Sequence, residues 1–201
     1  KGVLQKIPRP FLQTLRGVMR NFNLVIPTIL FCILVINSIY ADDDKRKSRR
    51  NEGVQPVLNE LYREECGQCH FAYSPGLLPE KSWQKLLSLA SLKDHFGEEL
   101  EFTESDRNRI STYLINNSAE KSNYKRSRKI MKQISRSEVP LRITSTRYIK
   151  NKHRKIPQKL IADNDKVGSL SNCNSCHKEA DKGIFDDDTV SIPGYGRWDD
   201  D

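Results

Sequence analysis

Two pentapeptides in this chain share the pattern C-x-x-C-H, at residues 66–70 (CGQCH) and 173–177 (CNSCH). This spacing is typical of c-type haem attachment, because two thiols on one tight turn can reach the two vinyl groups of a single porphyrin. The histidine after the second cysteine is then held under the iron as an axial ligand. Chance would produce roughly 0.002 such matches at this composition, so two of them indicate two haem sites. The predicted attachment and ligand residues are Cys66, Cys69, His70, Cys173, Cys176 and His177.

The remaining histidines are candidates for the opposite faces of the two irons. The chain has four histidines, which equals the number of axial positions on two six-coordinate haems. His95 lies 25 residues after His70, and His153 lies 24 residues before His177, which favours pairing each with the nearer motif. The crossed pairing stays open. Met131 is a competing ligand, although its position on an amphipathic helix favours a role in the core.

The N-terminal region has the pattern of an export signal. Residues 1–41 contain no Asp or Glu, and a basic segment precedes an apolar stretch of 13 residues at 24–36, which includes Cys32 and is interrupted by Pro27. A small residue, Ala41, follows for cleavage. This pattern predicts a secretory signal peptide, with an uncleaved membrane anchor as the alternative. Because c-type haem is attached outside the bacterial cytoplasm, we expect a periplasmic protein.

Composition divides the remaining chain into three segments. We predict a disordered polar leader at 42–53, a first haem lobe at 54–120 and a second haem lobe at 121–198. Segment 121–159 contains 14 Lys or Arg and a single acidic residue, whereas both flanks are acidic overall. This basic segment suits docking to an acidic partner or to an anionic membrane surface, or it is simply a solvated helix face.

Local patterns predict several short helices. Apolar residues at helical spacing begin at Val57, and a second set predicts one helix over 80–94. Thr103 and Asp106 resemble a capping box at the start of another helix. We also expect helices within 121–136, over 147–155 and at the second motif, and an extended stretch at 141–146. The acidic run 186–188 and the turn residues at 193–194 are expected to end the ordered part.

The chain resembles the dihaem cytochrome c family of small bacterial periplasmic proteins. The likeness rests on residues 66–79 (CGQCHFAYSPGLLP), 95–98 (HFGE), 140–144 (PLRIT), His153 and 167–169 (VGS). The stretch at 73–79 is specific, because a generic cytochrome c does not require it. The resemblance implies a mainly α, cytochrome c-like fold with two haem lobes, long loops, little β structure and bis-histidine iron in both haems. It also implies electron transfer to a small oxygen-binding monohaem c-type cytochrome, or from a membrane b-type cytochrome.

Three functions are compatible with the motifs. The first is an electron carrier, not an enzyme, that passes single electrons between two partners. The second is a dihaem peroxidase-like or ligand-binding haem enzyme, which requires that His95 or His153 is not a ligand. The third is a structural zinc site made by the four motif cysteines. Nucleic-acid binding, suggested only by the net charge of +8, is disfavoured by the export signal.

Overall fold

The structure is a computed structural model that describes residues 52–198. The predicted signal or anchor region at 1–41 lies outside this part, as do residues 42–51 of the predicted leader and the last three residues. Within the described part, Gly53 is buried, and its carbonyl accepts a hydrogen bond from Arg126 N at 3.1 Å.

Short helices with long loops between them make up residues 52–198. The seven α-helices of this part are α1 (Glu60–Gly67), α2 (Glu80–Leu86), α3 (Leu89–Lys93), α4 (Glu104–Asn116), α5 (Lys125–Met131), α6 (Arg147–His153) and α7 (Cys173–Cys176). Loop segments form 3-10 helices at Pro75–Leu77, Ile143–Ser145, Gln158–Leu160, Ala180–Lys182 and Asp187–Thr189. The sheet of this part is one antiparallel hairpin, β1 (Ser191–Ile192) with β2 (Gly196–Arg197). The predicted mainly α fold with little β structure is confirmed, and none of these helices is long and apolar enough to cross a membrane.

Polar side chains decide where two of the helices begin. α1 begins at Glu60, later than the apolar pattern from Val57 predicts, because Asn59 Oδ1 accepts a hydrogen bond from Tyr62 N at 2.8 Å. α4 begins after Thr103, whose Oγ1 accepts from Asp106 N at 3.1 Å. The second start agrees with the predicted capping box.

The predicted single helix over 80–94 is wrong, since the structure has two helices there. α2 ends at Leu86, and α3 begins after Ser88, whose hydroxyl accepts a hydrogen bond from Ser91 N at 3.3 Å. Serine favours this position because its side chain satisfies a backbone N–H that the first turn of a helix leaves free. Both helices still bury their apolar face, as Trp83 and Leu92 show.

Two predictions for the second lobe are also wrong. Residues 141–146 contain the 3-10 helix Ile143–Ser145 and are not extended; Thr146 Oγ1 donates to Ile143 O at 2.7 Å and closes this turn. Regular structure continues beyond the acidic run, because Pro193 and Gly194 form the turn of the hairpin and do not end the fold. Gly194 has φ +80°, which glycine adopts without steric cost, and Ile192 is buried beneath the turn.

The loop at 73–79 is buried, unlike most loops. Trp83 Nε1 donates to Pro75 O at 2.8 Å, which holds the loop against α2. On its other side Gly76 lies against α5, and a Cβ on Gly76 would lie 2.6 Å from Ser127 Oγ. The loop sequence is therefore constrained by packing.

Two hydrophobic clusters form the core of the described part. The larger cluster combines buried residues from both predicted lobes, including Tyr62, Ile110 and Phe185. The smaller cluster lies within the second lobe, around Val167 and Ile192. The segments that carry the two haem motifs therefore pack against one common core.

Candidate haem sites

The first site is formed where α1 ends. Cys66 lies in the last turn of α1, and Cys69 and His70 follow in the turn after it. The Nδ1 of His70 lies 2.8 Å from the carbonyl of Phe71, which leaves Nε2 available for a metal when Nδ1 carries the proton. The ring of His95 faces that of His70, with centroids 6.5 Å apart and planes inclined by 22°.

A loop after α3 carries His95. His95 N donates to Glu98 O at 2.7 Å, which closes a tight turn in which Phe96 has φ +60° and Gly97 has φ +106°. A positive φ is uncommon for a residue other than glycine. The guanidinium of Arg142 lies over the Phe96 ring, 3.9 Å from its centroid, and thereby holds the turn from outside.

The second site is formed by α7 and the end of α6. Cys173 and Cys176 are the first and last residues of α7, and His177 follows directly. His153 is the last residue of α6, and its Nδ1 lies 2.8 Å from Ile149 O, one helical turn earlier. The rings of His153 and His177 have centroids 6.2 Å apart and planes inclined by 80°.

Each pair of imidazoles lies at the edge of an apolar cavity. The cavity at the first site is about 130 Å³ and the one at the second site about 270 Å³. Ile143 lines both, so the two cavities lie on either side of one side chain. The first is also lined by Tyr62, Leu78, Trp83, Leu86, Leu87, Leu92, Leu100, Phe102 and Leu114, and the second by Ile149, Ile156, Leu160, Val167, Leu170, Phe185, Val190, Ile192 and Trp198.

The spacing of the imidazoles fits an iron between them. A metal bound to an imidazole nitrogen lies roughly 3 Å from the ring centroid, so two imidazoles on opposite faces of one iron have centroids about 6 Å apart. Both observed separations, 6.5 and 6.2 Å, agree with this value. The Nδ1 atoms of His95 and His177 are buried and make no hydrogen bond within residues 52–198, so these two rings, unlike those of His70 and His153, are not oriented by a hydrogen bond of the described part.

The protonation states also fit haem attachment. Burial, with the nearby His153, lowers the pKa of His177 to about 4, so its imidazole is neutral, the form that binds metals. Burial raises the pKa of the Cys66 thiol to about 12 and that of Cys173 to about 11, which disfavours a charged thiolate at either position. A thioether carries no charge and no proton, so it suits these buried positions.

The four motif cysteines do not converge on one zinc. They lie in two separate sites, and no three His, Cys, Asp or Glu side chains of residues 52–198 come together as a protein-only metal site would require. The geometry therefore disfavours the structural zinc alternative.

Comparison with known proteins agrees with the geometry. The model of the dihaem cytochrome c family matches residues 62–185. The chain belongs to the dihaem cytochrome c family. A solved diheme cytochrome c from Shewanella baltica OS155 is 39% identical over 71% of this chain and 99% of its own, with a TM-score of 0.58. A diheme cytochrome c from Rhodobacter sphaeroides is 35% identical over 66% of this chain and 100% of its own, also with a TM-score of 0.58.

None of the functionally curated proteins matches the sequence significantly. As a member of the dihaem cytochrome c family, the chain carries two haems c and is an electron-transport protein.

Most residues singled out in the sequence lie at the two sites of this dihaem cytochrome c. The structure brings His70 together with His95 and His153 together with His177, and it does not form the crossed pairs. Met131 is half-buried at the end of α5 and lines neither cavity. The aromatic residues that line the first cavity are Tyr62, Tyr73, Trp83, Phe96 and Phe102, and those that line the second are Phe185 and Trp198, whereas Phe71, Tyr113 and Tyr148 line neither.

Sequence reasoning missed Arg126 at the second site and the contact that Tyr73 makes with the segment of the second motif. Tyr73 stacks on His70, with centroids 4.9 Å apart, and its hydroxyl donates to Ser171 O near the second motif, so it connects the two sites. Arg126 lines the second cavity although it belongs to the basic segment 121–159. The spacing of Arg126 in the sequence could have revealed its position. Arg126 precedes the buried Ile130 by four residues, so both residues lie on the same face of the helix.

Proposed function

We propose that this protein is an exported, periplasmic carrier of single electrons whose two irons each have two histidine ligands. Electrons would pass from a membrane b-type cytochrome or a soluble donor to a partner such as a small monohaem c-type cytochrome. The observation that supports this most directly is the pair of facing imidazoles at each site, 6.5 and 6.2 Å apart between centroids. An iron held in this way has no open position for a substrate.

The side chains around the irons suit electron transfer without bond chemistry. The haems supply the one-electron redox change, and the protein supplies ligands, orientation and a dry environment. The two imidazoles of each site would hold the iron, and the apolar lining of each cavity would limit access of water to it. Two histidine ligands also favour ferric iron more than a histidine and a methionine do, so low reduction potentials are expected.

The spectrum of the ferric protein tests the ligand set. For protein made in a host with haem-attachment machinery, we expect two covalently bound haems, both low-spin, with no carbon monoxide binding after reduction and only a slow reaction of the ferric protein with cyanide, which must first displace a histidine. A His153→Ala variant is the control, because it opens one iron and shows that the assay detects an open position. A high-spin band in the unaltered protein would instead favour the peroxidase-like or ligand-binding enzyme.

The proposed location depends on the N-terminal region. For the full-length chain expressed in a bacterial host, we expect the mature protein in the periplasmic fraction, with its first residue near Asp42. Recovery of the uncleaved chain in the membrane fraction would indicate that the N-terminal region is a membrane anchor and not a cleaved signal. Haem-bearing protein in the cytoplasm would contradict export.

The basic segment 121–159 is the proposed docking face for the partner. Its exposed cations include Lys129, Lys132, Arg136 and Lys150 on or next to α5 and α6. Contacts of this kind steer association and weaken as salt is added. We expect the bimolecular rate of electron transfer to an acidic monohaem cytochrome to fall with ionic strength, and less steeply in a Lys129→Gln/Lys132→Gln variant. A rate that does not depend on salt would contradict this docking face.

A further inference from the structure

Arg126 is the one charged side chain of α5 that turns from the basic surface towards a haem site. Its guanidinium lies between two aromatic rings, 5.9 Å from the centroid of Tyr148 and 5.8 Å from that of Phe185. It donates through Nη1 to Tyr148 Oη at 3.0 Å and through Nη2 to Phe185 O. Phe185 in turn packs against His177, with centroids 5.2 Å apart, so the cation is fixed close to the second iron position.

The Nε of Arg126 has no hydrogen-bond partner among residues 52–198. This atom is buried and makes no hydrogen bond within residues 52–198, and no carboxylate of that part lies within 4 Å of the guanidinium. Buried charged donors are normally paired, because loss of water is costly unless an acceptor replaces it. Haem carries two propionate carboxylates, which are acceptors of the kind that arginine binds best.

We propose that Arg126 binds a propionate of the second haem and thereby keeps the reduction potential of this haem above that of the first. One electron would then pass from ferrous iron at the first site to ferric iron at the second, with no proton transferred. This inference rests on the proposed electron-transfer function and adds its direction: electrons enter at the first site and leave from the second, which the basic segment flanks.

The charges around the two cavities support this order. In the lining of the second cavity the cations Arg126, Lys152 and Arg197 outnumber the carboxylates Asp187 and Asp188 by one. Lys152 pairs with Asp187, which also interacts electrostatically with Arg126, and Arg197 lies 4.0 Å from Asp188. The first cavity has Glu65 and Glu98 in its lining and no cation, and Arg142 lies outside it over Phe96.

Burial of the lining does not distinguish the two sites, because buried apolar side chains line both cavities, such as Leu78 and Trp83 at the first and Phe185 and Ile192 at the second. The proposed order of potentials therefore rests on charge. Positive charge close to a haem favours the iron that has gained an electron, and the lining of the second cavity carries more of it.

A potentiometric titration followed by electron paramagnetic resonance distinguishes the two haems. The mutual angle of the axial imidazole planes sets the splitting of the iron d orbitals, and the two angles differ, at 22° and 80°. Nearly parallel planes give a rhombic low-spin signal, and nearly perpendicular planes give a more anisotropic one with a larger maximum g value. On reduction we expect the anisotropic signal, from the second haem, to disappear first.

Substitution of Arg126 tests its part in this order. In Arg126→Gln we expect the equilibrium for reducing the second haem to weaken about tenfold, which is about 59 mV for a one-electron couple, with the first haem nearly unchanged. Arg126→Lys keeps the charge and should restore most of the shift. Lys129→Gln is the matched control, because it removes an exposed cation of the same helix that lines neither cavity.

Three results would overturn the proposal. These are loss of the rhombic signal first in the unaltered protein, an unchanged second potential in Arg126→Gln, or an equal shift in Lys129→Gln. If Arg126→Gln fails to fold, the order of the two signals in the unaltered protein still decides. High-spin iron in the resting protein would instead contradict the bis-histidine function, so the two failures are distinguishable.

Discussion

The two haem sites share one attachment motif but present their distal histidines on different kinds of backbone. At the first site His95 lies on a tight loop, where Phe96 adopts φ +60° and is nearly half exposed. At the second site His153 ends a helix, and its ring is fixed by a contact of Nδ1 with Ile149 O. A loop can aim a side chain in a direction that regular structure does not offer, but it holds that side chain with fewer contacts.

The hydrogen bonds of the four imidazoles are distributed in opposite ways. At the first site the motif histidine, His70, has its Nδ1 against a backbone carbonyl, and the distal His95 has none. At the second site the distal His153 has this contact, and the motif histidine, His177, has none. Each site therefore has one imidazole that is oriented by a hydrogen bond and one that is positioned only by packing. Removal of the distal histidine takes away the packed imidazole at the first site and the hydrogen-bonded imidazole at the second.

The largest effect is expected from removing the distal histidines one at a time. His95→Ala should abolish the rhombic low-spin signal and leave the anisotropic one, whereas His153→Ala should do the opposite. Each variant should bind one equivalent of carbon monoxide when reduced, measured by its absorption spectrum. His153→Ala should also lower the melting temperature more, because His153 belongs to a helix packed on the core. Two low-spin haems in either variant would contradict the assigned pairs.

The second largest effect concerns a backbone contact near the second site. Val54 N donates a hydrogen bond to Gly183 O at 2.9 Å. Gly183 has a positive φ of +74°, and a Cβ added to it would lie only 2.1 Å from Val54 O. Gly183→Ala should therefore lower the free energy of unfolding by about 3 kcal/mol, from left-handed strain and overpacking together. Denaturant titration of the holoprotein measures it.

Gly194→Ala is the control for that substitution. Gly194 also has a positive φ, of +80°, but a Cβ there would meet nothing within 4 Å. The loss should then be about 1 kcal/mol, from the backbone alone. Equal losses at the two glycines would show that crowding between Gly183 and Val54 contributes little.

The sequence predicts the sites better than the segments around them. The motifs, the four histidines and the capping box at Thr103 depend on fixed local chemistry, and the structure has α4 where that pattern places it. The break at Ser88 and the hairpin turn at Gly194 were missed, because both residues also fit other local structures. Which one forms is decided by packing against distant parts of the chain.

Arg126 and Tyr73 show a second limit of local reasoning. Arg126 lies in a run of cations that suggests a solvated face, and only the fold places Tyr148 and Phe185 around its guanidinium. Tyr73 meets Ser171, which is 98 residues away in the sequence. Contacts at such separation leave no periodic pattern in one sequence.

A smaller effect is expected from the hydrogen bond that joins the two sites. Tyr73→Phe removes the bond from Tyr73 Oη to Ser171 O, 2.8 Å long, and keeps the ring against His70. The free energy of unfolding should fall by about 1 kcal/mol, since a partly buried acceptor loses its donor. Tyr195→Phe is the control, because Tyr195 is exposed. Equal losses in both variants would exclude a specific role for the bond.

The smallest effect should separate the loop-borne ligand from the helix-borne one. Arg142→Ala removes the cation over Phe96, an exposed interaction of about 0.5 kcal/mol, so the population with His95 detached should rise about twofold. Cyanide binding to the ferric protein should accelerate by the same factor, with loss of the rhombic signal only. Arg147→Ala, which removes an exposed cation at the start of α6, should leave the rate unchanged. The prediction is wrong if both haems react faster in Arg142→Ala, or if neither does. Either result would show that the loop holds His95 as firmly as the helix holds His153.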